Sequence, residues 1–210
     1  MGRMIGSSSI SFDKPPFIIE GASIVGQKEG DGPLGKLFDV VEQDPMLGQE
    51  TWEEAESLLQ KEAIQKLLFK AGMSKEEIRY IFGGDLLGQL IATTFGILEF
   101  EVPFFGLYGA CSTMGEALSL GAVMVEAGNA DNVIAMASSH FASAERQFRF
   151  PLAYGKQRPY AATWTVTGCG AVIISTKKGF AKITGITTGK IVDFGVKDAQ
   201  NMGACMAPAA

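Results

Sequence analysis

Leu107-Tyr-Gly-Ala-Cys-Ser-Thr-Met-Gly-Glu116 is the stretch whose reading decides the fold. The apolar run from Pro103 to Tyr108 has the length and aromatic content of a strand. After Gly109-Ala110-Cys111, residues Met114, Ala117, Leu118, Gly121, Ala122 and Val125 recur at three- and four-residue steps, the period of a helix, which Gly128 stops. Cys111 is therefore expected on a tight strand-to-helix turn, with Gly109 supplying the backbone freedom and the sulfur near a helix N-terminus. Unpaired N–H groups and the helix dipole there favour a thiolate or a bound anion. The site suits either a nucleophile or a receptor for carboxylates.

Cysteine is more often a small buried hydrophobe than a reactive group. Cys169, inside the apolar run Val166 to Ser175, and Cys205, among small residues near the end, read as packing residues. Three cysteines with no CxxC spacing and one histidine give no metal site, and the sparse count fits a reducing compartment. A net charge of −5 argues against a nucleic-acid binder, which would normally show a basic stripe. No apolar run reaches the roughly 18 residues that span a bilayer, and residues 1–8 carry neither a signal-peptide core nor a myristoylation pattern. With 47% hydrophobic residues, the 210-residue chain is long enough for a sizeable core.

Outward from the elbow, strands alternate with helices. Phe17 to Val25 reads as a strand, residues 27–48 as a loop with a helical turn near Leu37, and Thr51-Trp-Glu-Glu54 as a capping box. The long helix it opens has Ala55, Leu58, Leu59, Ala63, Leu67 and Leu68 on its apolar face and stops at Gly72. A second capping box, Ser74 to Glu77, precedes a strand from Tyr80 to Asp85. A helix over Leu86 to Phe95, a strand over Asn132 to Ala137 and a hairpin of Ala171 to Thr176 with Ala181 to Thr187 complete the reading. This is an α/β chain with a mixed, mostly parallel sheet and a buried elbow helix covered nearly all round.

A second constellation follows the strand after the elbow helix. Ser138-Ser139-His140 leads into a segment where Arg146, Arg149, Lys156 and Arg158 oppose the single acid Glu145, interleaved with Phe141, Phe148, Phe150, Tyr154 and Tyr160. Guanidinium forks and aromatic faces suit a flat aromatic anion, and a solvated loop with core aromatics would look the same. His140 lies at the carboxyl end of a strand, where open α/β sheets bind ligands.

These residues resemble the thiolase and ketosynthase superfamily, and more narrowly the stage V sporulation protein AD family of spore-forming bacteria. The resemblance is carried by Asp31-Gly-Pro-Leu-Gly35, Gly84-Asp-Leu-Leu87, Gly109-Ala-Cys-Ser-Thr113, Ser138-Ser-His140, Ala144-Glu-Arg-Gln-Phe-Arg149, Thr165-Val-Thr-Gly168 and the stretch from Met202 to Ala210. It implies a thiolase-like protein that binds dipicolinic acid (pyridine-2,6-dicarboxylate), without cofactor or metal. It further implies service to the membrane assembly that moves this compound into the developing spore and out at germination. The expected ligand-binding set is Cys111, Asp85, Ser138, Ser139, His140, Arg146 and Arg149. Expected partners are other stage V sporulation membrane proteins and a second copy in a homodimer, with peripheral attachment at the spore inner membrane after synthesis in the cytoplasm. The alternative is an acyltransferase using Cys111 as nucleophile. Family members are longer, with a second pseudo-repeated half holding the superfamily's catalytic histidines. Residues 1–190 are thus expected to be the N-terminal half and 191–210 the start of the other.

Overall fold

The computed structural model describes residues 2–145, 165–198, 201 and 203–209. The strands are β1 (Arg3–Ile5), β2 (Ser9–Ser11), β3 (Phe17–Gly26), β4 (Val40–Glu42), β5 (Tyr80–Asp85), β6 (Phe104–Gly106), β7 (Asn132–Ser139), β8 (Gly168–Ser175), β9 (Ala181–Lys182) and β10 (Gly185–Thr187). The helices are α1 (Gln27–Gly30), α2 (Trp52–Ala71), α3 (Ile91–Ile97), α4 (Thr113–Glu126), α5 (Phe141–Glu145) and α6 (Gly203–Ala209). The main sheet has the order β4-β3-β8-β7-β5-β6, with β9 also pairing β3. Strands β3 to β7 point one way, because β4 is parallel to β3, and β5 to both β6 and β7, while β8 runs against β3 and β7. The sheet is mixed and mostly parallel, as read from the sequence. A small antiparallel sheet, β1-β2-β10, lies apart from it.

Strand side chains alternate between faces, so one sheet builds two cores. Ile81, Ile134, Met136 and Ile173 pack under Leu59, Ala63, Ile64 and Leu67 of α2. Phe82, Val133, Ala135 and Ile174 pack under Ala117 and Val125 of α4. Helix α2 begins at the expected capping box: the Glu54 N–H donates to Thr51 Oγ1 at 3.2 Å and the Thr51 N–H to Glu54 Oε2 at 3.0 Å. It ends at Gly72, whose φ of 61° is the left-handed cap glycine adopts freely. Helix α4 approaches the sheet closely because Gly121 has no side chain; a Cβ there would lie 2.9 Å from Ile174 Cδ1.

Several expectations are corrected. The region read as loop contains α1 and the short strand β4, which pairs in parallel with β3. The expected helix from Leu86 begins only at Ile91. The hairpin does not form: Lys182 pairs with Phe17 of β3 and Ile186 with Ile10 of β2. Both edges of β8 are already taken by β3 and β7, so a following strand has no edge to fold back onto. Helix α4 is buried on one face only. Gly115 and Glu116 are exposed and Leu120 is 43% exposed, because among the described residues nothing stacks on that side. Cys169 is buried as expected, whereas Cys205 is exposed in α6.

Candidate functional site

Five same-direction strands bring their carboxyl ends to one edge of the sheet. There lie Gly26, Glu42, Asp85, Gly106 and Ser139, with the elbow following β6 and the Ser138–His140 run closing β7. Cys111 occupies a tight turn, Ala110–Ser112, directly before α4, and is exposed. The turn's left-handed residue is Ala110 (φ 49°), not Gly109, whose φ of −105° any residue could adopt. A side chain there costs free energy that the surrounding structure must hold in place, a feature often found at functional sites. A Cβ on Gly109 would meet Ser112 Oγ at 2.3 Å and Glu116 Oε1 at 2.5 Å, the ends of exposed side chains that can move aside.

Behind this edge runs a buried chain of polar groups. The Ser138 hydroxyl donates to Glu56 Oε1 (2.8 Å), and Gln60 Nε2 donates both to Ser138 Oγ (2.6 Å) and to Thr93 Oγ1 (3.1 Å). The Thr93 hydroxyl donates in turn to Asp85 Oδ2 at 2.7 Å. Because the single amide group of Gln60 gives a proton to each hydroxyl, each hydroxyl's own proton turns towards a carboxylate. On the far side, the Ser143 hydroxyl lies 2.6 Å from Glu56 Oε2 and 3.1 Å from the His140 carbonyl. The chain ties α2, α3, β5, β7 and α5 together. Its members are all buried, Glu56 at 1% and Asp85, Gln60 and Thr93 at 0% exposure. Gln60 Oε1 is buried with no hydrogen-bond partner. Burial pushes the Glu56 carboxyl up to about 7, helped by the charges of Asp85 and Glu53, although its hydrogen bonds to Ser143 and Ser138 pull the other way.

The expected ligand residues fall into separate groups. Asp85 joins the buried chain and caps α3, accepting the N–H groups of Thr93 at 3.1 Å and Leu90 at 3.3 Å. Ser138 joins the same chain, while the Ser139 hydroxyl donates to the Val166 carbonyl at 2.5 Å. His140 is fully buried; its Nδ1 accepts the Ala142 N–H (3.2 Å), which leaves Nε2 to donate to the Pro45 carbonyl (2.7 Å). Its ring lies against Trp52 and Phe141, 5.3 Å and 5.1 Å between centroids, and burial lowers its pKa. Arg146, Arg149, Lys156 and Arg158 lie outside the described residues. Sequence reading missed Glu56, Gln60, Thr93 and Ser143. The available signal was the polar pair Glu56 and Gln60, four residues apart on the stripe that continues to Ala63 and Leu67.

A cavity of about 220 Å³ opens at the same edge, lined in part by Gly26, Glu29, Asp44, Pro45, Phe141 and Thr167. The Phe141 N–H donates to Thr167 Oγ1 at 3.1 Å and His140 holds Pro45, so the residues after β7 form its wall. Glu29, Glu42 and Asp44 outnumber Lys28 among its lining charges, a balance unsuited to a bare dianion. Among the described residues no cluster of side chains is arranged to hold a metal ion, and no helix is long and apolar enough to cross a membrane.

The mixed sheet, the helices on its two faces and the strand-turn-helix elbow with its cysteine define a thiolase-like fold. The same fold is found in the crystal structure of 3-oxoacyl-[acyl-carrier-protein] synthase III from Aquifex aeolicus VF5 (TM-score 0.53, 18% identity, 76% of this chain and 53% of that one). It recurs in the priming β-ketosynthase of the R1128 polyketide pathway (TM-score 0.50, 16% identity, 83% and 52%). Residues 6–210 match the Stage V sporulation protein AD family, and the chain belongs to that family of sporulation proteins. It is 41% identical over 208 residues to the Stage V sporulation protein AD of Bacillus subtilis (strain 168). The match covers 99% of this chain and 62% of that relative's length.

Proposed function

We propose that this chain is the ligand-holding part of a non-catalytic dipicolinic acid binding protein, acting in dipicolinate uptake during sporulation and release in germination. Family membership supports the binding reading, and within this part of the protein the state of His140 leaves Cys111 without an imidazole base. His140 is the chain's single histidine, and both ring nitrogens are committed to backbone groups in the interior while Cys111 faces solvent. A thiol used for acyl transfer needs a base to take its proton, and His140 does not offer one. The ligand's identity rests on the family resemblance, and its two carboxylates would be met by the elbow N–H groups beside Cys111 and by Arg146 or Arg149. By the same resemblance, the protein works peripherally at the spore inner membrane with other stage V sporulation proteins, and pairs as a homodimer.

The second reading, an acyltransferase with Cys111 as nucleophile, is favoured by the strained elbow at Ala110. One experiment separates the two. The full-length protein is incubated with acetyl-CoA, a long-chain acyl-CoA or dipicolinate and weighed by denaturing and native mass spectrometry. Expected are no covalent adduct from either thioester and a non-covalent dipicolinate complex under native conditions. An acyl mass that disappears in Cys111→Ala would establish the enzyme reading.

A further inference from the structure

Glu56 and its serines have two complete hydrogen-bonded arrangements that differ by one proton. With Glu56 ionised, Ser138 and Ser143 both donate to it, at 2.8 Å and 2.6 Å. With a proton on Oε2, the carboxyl donates to Ser143 Oγ, and the Ser143 proton turns to the His140 carbonyl, already 3.1 Å away. Ser138 keeps its bond to Oε1 in both. No buried donor loses its partner, so the proton can be taken up without opening the fold.

The charge it would neutralise stands in unfavourable surroundings. Facing Glu56 are Asp85 from β5 and Glu53 one turn earlier on α2, both of the same sign, and the Cys169 thiol from β8. Helix α3 and strand β7 carry no charged side chain, and His140 at the head of α5 is held neutral by its two bonds. Glu56 bonds to Ser138 and Ser143, the residues that bracket Ser139 and His140. An ionised Glu56 therefore sets a buried negative charge directly behind the segment expected to meet a dicarboxylate, where screening by solvent is weak.

We infer that anion binding at this edge is proton-linked: Glu56 takes up a proton as a dicarboxylate binds, so the site holds its ligand more tightly in acid than in base. This rests on the dicarboxylate-binding reading. Linkage is reciprocal, so binding the anion must favour protonated Glu56 by the same factor that protonation favours binding. The working range is set by the Glu56 carboxyl, which titrates at about 7.

The test is calorimetric titration of dipicolinate into the full-length protein at pH 6 and pH 8, at fixed ionic strength. Buffers of different ionisation enthalpy report the protons exchanged. Expected is affinity about tenfold higher at pH 6, with uptake of part of a proton near pH 7. Glu56→Gln, which keeps the size and hydrogen bonds of the protonated acid, should bind alike at both pH values with no uptake. Saturable binding of the wild type that is independent of pH and exchanges no proton overturns the inference, whether or not the variant folds. So does an unchanged pH dependence in folded Glu56→Gln. A folded protein that gives no binding heat at either pH refutes dicarboxylate binding itself, and the linkage with it.

Discussion

Asp85→Ala is expected to lower the unfolding free energy by about 3–5 kcal/mol, the largest effect of any polar substitution considered. The carboxylate is fully buried and accepts the Thr93 hydroxyl at 2.7 Å and the Thr93 N–H at 3.1 Å. Its second oxygen accepts the Leu90 N–H at 3.3 Å. Leu90 is itself left-handed (φ 68°), so the first turn of α3 has no conventional cap and depends on this remote carboxylate. Alanine would leave the Thr93 hydroxyl and the first amides of α3 without their acceptor. Urea unfolding followed by circular dichroism measures the loss, with Cys111→Ala as an exposed control expected within about 0.5 kcal/mol of wild type. An Asp85→Ala value equally small would return Asp85 to the role of a ligand group.

The second large effect is the pH dependence that Glu56 imposes on stability. Its folded-state pKa of about 7 lies above the ordinary value of 4.5, chiefly through burial. The folded state therefore binds the proton more tightly than the unfolded chain. The stability contributed is fully present below pH 4.5 and is lost as pH rises through about 7. The full loss is on the order of 3 kcal/mol. Glu56→Gln should match wild type near pH 4.5 and exceed it by roughly that amount at pH 8, measured as denaturation midpoints across the range. A wild-type-minus-variant difference that does not change with pH would show that the buried carboxylate is not the titrating group.

Much of the fold was legible because its signals are local. The capping box Thr51–Glu54, the left-handed Gly72 and the second capping box Ser74–Glu77 lie within a few residues of the ends they set, and all three form. Strand β4 was not legible: three residues pair with β3 only because the main sheet offers that edge. The failed hairpin has the same cause, since Lys177-Lys-Gly179 reads as a turn while the partners of β9 and β10 lie more than 150 residues earlier. At the site, the elbow before α4 and the small residues packed under it were visible as a pattern. Its strained residue was not, because a left-handed Ala110 breaks the usual preference for glycine. Asp85, Ser138 and His140, expected among the ligand residues, lie together at one sheet edge, where Asp85 pairs with Ser138. Their interior hydrogen bonds were not legible, because the partners are set by the fold: Thr93 reaches Asp85 from the next helix, and Pro45 meets His140 from 95 residues away.

That a thiolase-like scaffold holds a dicarboxylate through cations, without forming a bond, is tested most directly by calorimetric titration of dipicolinate against arginine variants of the full-length protein at fixed pH and salt. Burying two carboxylates requires cationic or N–H partners, because their desolvation otherwise outweighs the attraction. Expected is saturable binding that Arg146→Ala or Arg149→Ala weakens by about 2–4 kcal/mol. His140→Ala should cost less, and Lys177→Ala, on the β8–β9 connection, almost nothing. Equal affinity of wild type and both arginine variants, or no binding by the folded wild type, would contradict it.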